Sequence, residues 1–120
     1  MKDFRDLKVW NKAHLLTLDI YKATFSFPKD ELYGLTSQMR RSASSIPTNI
    51  AEGCGRGSDA EFLRFLFIAM GSANELDYQL LLASELNFLH KEIYSTLNSD
   101  IIELKKMIAS LINKIKKDNK

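Results

Sequence analysis

Five cations are the side chains whose type best suits them to chemistry: Lys8, Lys12, Arg40, Arg41 and Arg56. Guanidinium groups bind phosphate through paired N–H donors, and ammonium groups bind it as point charges. Neighbouring positions on a helix point about 100° apart. Arg40 and Arg41 can therefore divide, one toward solvent and one toward partners inside, and the sequence leaves open whether they face solvent or a subunit interface. The five either form a phosphate-binding patch or are held in salt bridges to acids such as Glu52, Glu75 and Asp77. Arg56 also sits in the glycine-rich run Gly53-Cys54-Gly55-Arg56-Gly57-Ser58. A glycine loop entering a helix can hold an anion with backbone N–H groups. Neither GxxxxGK[ST] nor GxGxxG is present, and a helix rather than a strand precedes the loop. A plain helix–loop–helix turn is its first reading.

The remaining reactive types do not assemble. His14, Cys54 and His90 are far apart in the chain, whereas a zinc site wants clustered ligands. No glutamate has a histidine three residues later, so the di-iron bundle pattern is missing. Ser42, Ser44, Ser45 and Ser72 lie outside any GxSxG elbow. With Ala43, Ala69, Gly71 and Ala73 they read as small residues where two helices approach closely. Asn49 and Glu52 stand just after Pro47, one turn apart from each other, and suit either repair of backbone groups freed by the proline or a partner contact. The expectation is a non-enzymatic chain with no cofactor and no metal.

The elements that must position these residues are helical. Leu97, Ile101, Leu104, Ile108, Leu111 and Ile115 recur at alternating steps of four and three, a heptad seam that Ile93 extends, predicting a helix over 91–117. A first helix is predicted over 7–25, N-capped by Asp6, with a stripe of Leu7, Trp10, His14, Thr17, Tyr21 and Thr24 and with Leu16 and Ile20 beside it. Phe27-Pro28 ends it. A second is predicted over 30–53, opening at Asp30–Glu31 and carrying Leu32, Leu35, Met39, Ala43, Ile46 and Ile50 on one face. Pro47 lies inside it, removes a donor and crowds the carbonyl of Ala43, predicting a kink or short break between Ser44 and Thr48. A third is predicted over 58–86, opened by the capping box Ser58-Asp59-Ala60-Glu61. Its apolar residues cover more than one stripe, which predicts a second interface beyond the subunit. No segment alternates with period two. The expectation is one all-α domain over 1–120, an antiparallel up-down four-helix bundle.

Composition fits that picture. The 120 residues are 45% hydrophobic and 27% charged, with five glycines, two prolines and one cysteine, which excludes a disulfide framework and disfavours disorder. No apolar run approaches a membrane span, and the first residues lack a signal-peptide core, so the expected location is cytoplasmic. Net charge is only +2, but it is unevenly spread. Residues 1–57 hold nine bases and six acids, residues 58–90 one base and five acids, and residues 91–120 seven bases and four acids.

The stretches FRDLKVWNKA (4–13), FPKDELYGLTSQMRRSASSIPTNIAEGCGRGS (27–58) and FIAMGSANELDYQLLLA (67–83) together resemble the bacterial four-helix-bundle family named for proteins encoded in 23S ribosomal RNA intervening sequences. The likeness covers about 4–115, and SIPTNIAEGCGR is its most specific part. The resemblance implies a four-helix bundle, no enzymatic activity and a ring-shaped homo-oligomer, a pentamer in relatives. The family is similar to the accessory variability determinant of diversity-generating retroelements, a basic pentameric bundle that works with a reverse transcriptase and nucleic acid. Arg40, Arg41 and Arg56 fall within the matching motif. Two roles follow as expectations: an accessory module that binds RNA or DNA, or a scaffold for a protein partner such as a reverse transcriptase.

Overall fold

The computed structural model describes residues 3–119. Those residues form four α-helices and no strand: α1 (Lys8–Thr24), α2 (Leu35–Cys54), α3 (Asp59–Glu85) and α4 (Lys91–Asp118). Each helix packs on its chain neighbours, and α4 closes against α1, while the diagonal pairs stay apart. The long dimension of 48 Å matches the roughly 42 Å expected for a 28-residue helix.

The core explains which faces turn inward. α4 buries Leu97, Ile101, Leu104, Ile108, Ile112 and Ile115. The seam thus slips by one position near its end: Ile112 is buried, Leu111 is only half-buried, and Ile93 is exposed. Straight helices have 3.6 residues per turn, and a strict heptad drifts off the core face. On α1 the buried set is Val9, Ala13, Leu16, Thr17, Ile20 and Thr24, so the core face is rotated from the expected stripe and Tyr21 is exposed. α3 buries Phe65, Leu66, Ala69, Ala73, Leu76, Leu80 and Ala83 along one side.

Helix ends differ from the expectations in instructive ways. Asp30 and Glu31 belong to a separate 3-10 turn, Lys29–Glu31, and α2 starts only at Leu35. Gly34 breaks the run with a non-helical backbone, and the Glu31 carboxylate accepts the Leu35 N–H at 3.0 Å. Leu32 is consequently exposed, not part of the α2 core face. Asp6 lies in another 3-10 turn, Phe4–Asp6, capped by Asp3, so the N-cap of α1 is Leu7. Ser58 does cap α3, accepting the Glu61 N–H at 3.2 Å. α3 ends in a paired cap: Phe88 N–H donates to Ala83 O at 2.9 Å and Asn87 N–H to Ser84 O at 3.0 Å. Asn87 takes the left-handed φ of 64° this requires. Phe88 then packs on Phe27, with ring centroids 5.4 Å apart.

α2 is helical without a break from Leu35 to Cys54, through Pro47. Proline cannot donate to the carbonyl four residues back, which is that of Ala43. The Thr17 hydroxyl of α1 takes its place. It lies 3.0 Å from Ala43 O and 2.8 Å from Ala13 O, so one donated hydrogen is shared between them. Asn49 Nδ2 adds a bond to Ser45 O at 2.8 Å. The repair by Asn49 expected from the sequence is therefore not made at the carbonyl freed by Pro47; that orphan is satisfied from a different helix.

Candidate nucleic-acid interface

The five nominated cations sit in four separate settings. Arg40 is half-buried between α1 and α2. Its Nε donates to Thr24 Oγ1 at 2.9 Å, and its guanidinium lies 4.9 Å from the centroid of the Tyr21 ring. Thr24 can accept because its own hydrogen goes to Ile20 O at 2.7 Å. Arg41, the adjacent residue, is exposed at a polar notch between α2 and α3, near Ser45, Ser72 and Glu75. The division between one engaged and one open arginine follows the helical geometry.

Lys12 bridges α1 to α4, with Nζ 3.0 Å from Asp100 Oδ1 and 3.7 Å from Glu103 Oε2. Partial burial pulls its pKa down. The hydrogen bond and charge of Asp100, with the charge of Glu103, outweigh that and hold it above the ordinary lysine value. Arg56 pairs with Glu52 at 3.3 Å and lies 4.9 Å over the Phe65 ring. Arg64 approaches the same ring at 4.5 Å and pairs with Glu61 at 3.0 Å. The Arg64 hydrogen bond holds the Glu61 carboxyl below its usual range, against a small opposing effect of desolvation. Two guanidiniums and two carboxylates thus surround one ring and largely cancel. Lys8 is exposed where α1 begins.

Arg40 and Arg41 lie about 24 Å along α2 from Arg56, at 1.5 Å per residue. Lys8 and Lys12 are on the α1 side facing α4. The fold does not gather the five into one patch. Of the acids expected to neutralise them, Glu52 takes Arg56, but Asp77 takes Lys105, at 2.6 Å. Among the described residues, Lys8 and Arg41 have no carboxylate within 4.0 Å.

The glycine loop is explained by packing. A Cβ on Gly53 would stand 2.7 Å from Phe65 Cβ and 3.0 Å from Phe62 Cδ1, so glycine lets α2 and α3 meet there. Gly57 turns the chain with a φ of +83°. The small residues act likewise: the Ser45 and Ser72 hydroxyls bond across α2 and α3 at 2.8 Å.

Two features had little signal in the sequence. Lys106 and Lys114 of α4 join Lys8 around one groove, which no local spacing links. Trp10 stacks on His14, with centroids 5.0 Å apart and planes within 7°, and Phe4 meets Trp10 edge-on at 4.8 Å. This aromatic set, Pro47 and Thr48 border a second groove of about 620 Å³ between α1 and α2, with Glu52 on its rim. Among the described residues no three of His, Cys, Asp and Glu come together as metal ligands. No helix among them is long and apolar enough to cross a membrane.

The molecule is thus an all-α bundle in which Lys12, Arg40 and Lys105 tie one helix to another. Residues 5–110 match the 23S rRNA-intervening sequence protein family, and the chain belongs to that family. No match was found among curated proteins. The fold is similar to a crystal structure from Bacteroides thetaiotaomicron VPI-5482, described as a protein with unknown function from the S23 ribosomal protein family. The two chains are 30% identical with a TM-score of 0.80, over 88% of this chain and 95% of that one. Neither description names a catalysed reaction.

Proposed function

We propose that this chain is a non-enzymatic, cytoplasmic, homo-oligomeric module that binds nucleic acid through its phosphates. The observation that carries the proposal is the outer face of α3. Phe67, Ile68, Tyr78 and Leu81 are 41–62% exposed there, although the same helix fills the core with its other side. Exposed apolar groups aligned on one helix mark an interface. A ring of subunits, a pentamer by family resemblance, would cover that face. It would also repeat each open cation around the ring, so that modest charge per subunit gains avidity. Arg41 and Lys8 have open head groups suited to phosphate. Arg40, Arg56 and Lys12 add field while tied to their partners. The residue pairings from Thr24–Arg40 to Thr17–Ala43 support an antiparallel α1 and α2, in keeping with an up-down bundle.

Size-exclusion chromatography with light scattering tests both parts. The chain alone should run as a multiple of 13.7 kDa. It should shift on adding a mixed RNA and DNA pool at low salt and release it as salt rises. A stable monomer would defeat the assembly, and a ring indifferent to nucleic acid would defeat the binding. The aromatic groove at Trp10, His14 and Pro47 favours one other reading, a scaffold for a protein partner such as a reverse transcriptase. On that reading, a stoichiometric protein would copurify and nucleic acid would not.

A further inference from the structure

We propose that the phosphate-binding surface is the groove between α1 and α4, with Lys8, Lys106 and Lys114 as its contacts. The inference rests on the nucleic-acid reading above and assigns it a place that the sequence motifs do not mark. The three lysines come from one helix start and from two turns of α4 spaced about 12 Å apart at 1.5 Å per residue, and all line a single groove of about 420 Å³. All three are exposed, and among the described residues none has a carboxylate within 4.0 Å. Glu103, the one acid lining the groove, lies 3.7 Å from Lys12, so its charge is partly answered within the protein.

Four cations elsewhere are tied down, whereas Arg41 stands open but alone at its notch. Arg40 holds Thr24, Arg56 holds Glu52, Arg64 holds Glu61 and Lys105 holds Asp77. Three ammonium groups against one partly neutralised carboxylate leave the groove net positive, and a polyanion laid along it gains that field while releasing its own counterions. The floor is apolar, formed by Leu7, Val9, Met107 and Leu111. Beside the charged groups it offers one hydroxyl, that of Ser110, too little to read a run of base edges, so binding should depend on phosphate and be largely indifferent to sequence. An acidic helical peptide would meet the same charges. Nucleic acid fits better because its phosphates repeat along a strand as the lysines repeat along the groove.

The test is fluorescence anisotropy with two labelled probes, poly(dT) and a mixed-sequence duplex RNA, titrated with the full chain across a salt series. Removing one phosphate contact lowers affinity by about tenfold near 0.1 M salt and reduces the salt slope by about one unit. K106Q/K114Q should therefore weaken binding by roughly one to two orders of magnitude and flatten the slope by about two units. K29Q/K91Q removes exposed lysines from the other end of the bundle and should leave affinity within about twofold, since phosphate contacts are local. Unchanged circular dichroism and elution volume would establish that the variants are folded and assembled. If the wild type binds but K106Q/K114Q binds equally well while R41Q does not, this surface is wrong and the broader reading stands. If the wild type binds neither probe, the nucleic-acid reading itself fails. If it ignores both but captures polyglutamate through Lys106 and Lys114, the groove serves an acidic protein instead.

Discussion

A single hydroxyl shows how this fold tolerates a proline in the middle of a helix. Thr17 reaches Ala43 O because α1 and α2 lie close enough for a side chain to replace the backbone donor that Pro47 lacks. Thr17→Val keeps the shape and leaves that carbonyl unpartnered, so urea unfolding should show a loss of about 1–3 kcal/mol. In a Pro47→Ala background residue 47 supplies its own N–H, and the same change should cost less by about 1 kcal/mol or more. Equal losses in the two backgrounds would mean the threonine does not serve the proline. Lys12 makes a second prediction. Its pKa is raised on folding by Asp100 and Glu103, so its contribution is complete below the ordinary lysine value of 10.5 and is lost as pH rises through the folded value. The stability gap between wild type and Lys12→Met, about 1 kcal/mol for a partly buried pair, should stay level from neutrality to that point and shrink above it. The proline and its orphan carbonyl were legible in the sequence. The partner was not, because it lies 26 residues away on another helix, and only packing brings it there.

At the scale of elements, periodicity located all four helices and most of the core, because each amphipathic face repeats over several turns. It misplaced faces and starts. Val9, Ala13, Leu16 and Ile20 form the inner side of α1, but the aromatic and polar residues one step round looked equally periodic in a helix that also uses them at a groove. Asp30–Glu31 resembled a helix start, yet Gly34 interrupts the backbone before α2. The helix corners carry sharp expectations. Gly53→Ala forces a Cβ to 2.7 Å from that of Phe65 and should destabilise by about 1–3 kcal/mol as α2 and α3 separate. Asn87→Gly relieves a left-handed residue and should stabilise by up to about 1 kcal/mol. Thermal melts of the two variants should move in opposite directions. Melts moving the same way would mean that these corners are not held by the contacts described. The candidate site was only half legible: Arg40 and Arg41 stood out as a pair, while Lys106 and Lys114 looked like ordinary solvated lysines until α1 was laid beside α4.

For the whole molecule, the decisive question is whether a second subunit covers the outside of α3. Phe67, Gly71, Tyr78 and Leu81 fall on its outer side, and beyond the adjoining backbone of α3 no atom among the described residues lies within 4 Å of a Cβ placed on Gly71. Within one subunit Gly71→Ala should be harmless or stabilising by about 0.5–1 kcal/mol, since glycine is a poor residue for a helix interior. If another subunit packs there, the same methyl meets a neighbour. Tyr78→Glu sharpens the contrast, because a 62% exposed side chain contributes little to the monomer core, whereas a carboxylate in an apolar interface costs several kcal/mol. Tyr78→Glu should therefore lower the mass seen by light scattering while its helical circular dichroism remains. Assembly through apolar contact should also survive salt that strips nucleic acid from the lysines, because counterion release governs only the second. A Tyr78→Glu protein that keeps the full mass would place the subunit interface elsewhere on the bundle. One that breaks to monomers and loses nucleic acid together would tie phosphate binding to the repetition of Lys8, Lys106 and Lys114 around the ring. Retained binding by a monomer would mean that one groove suffices.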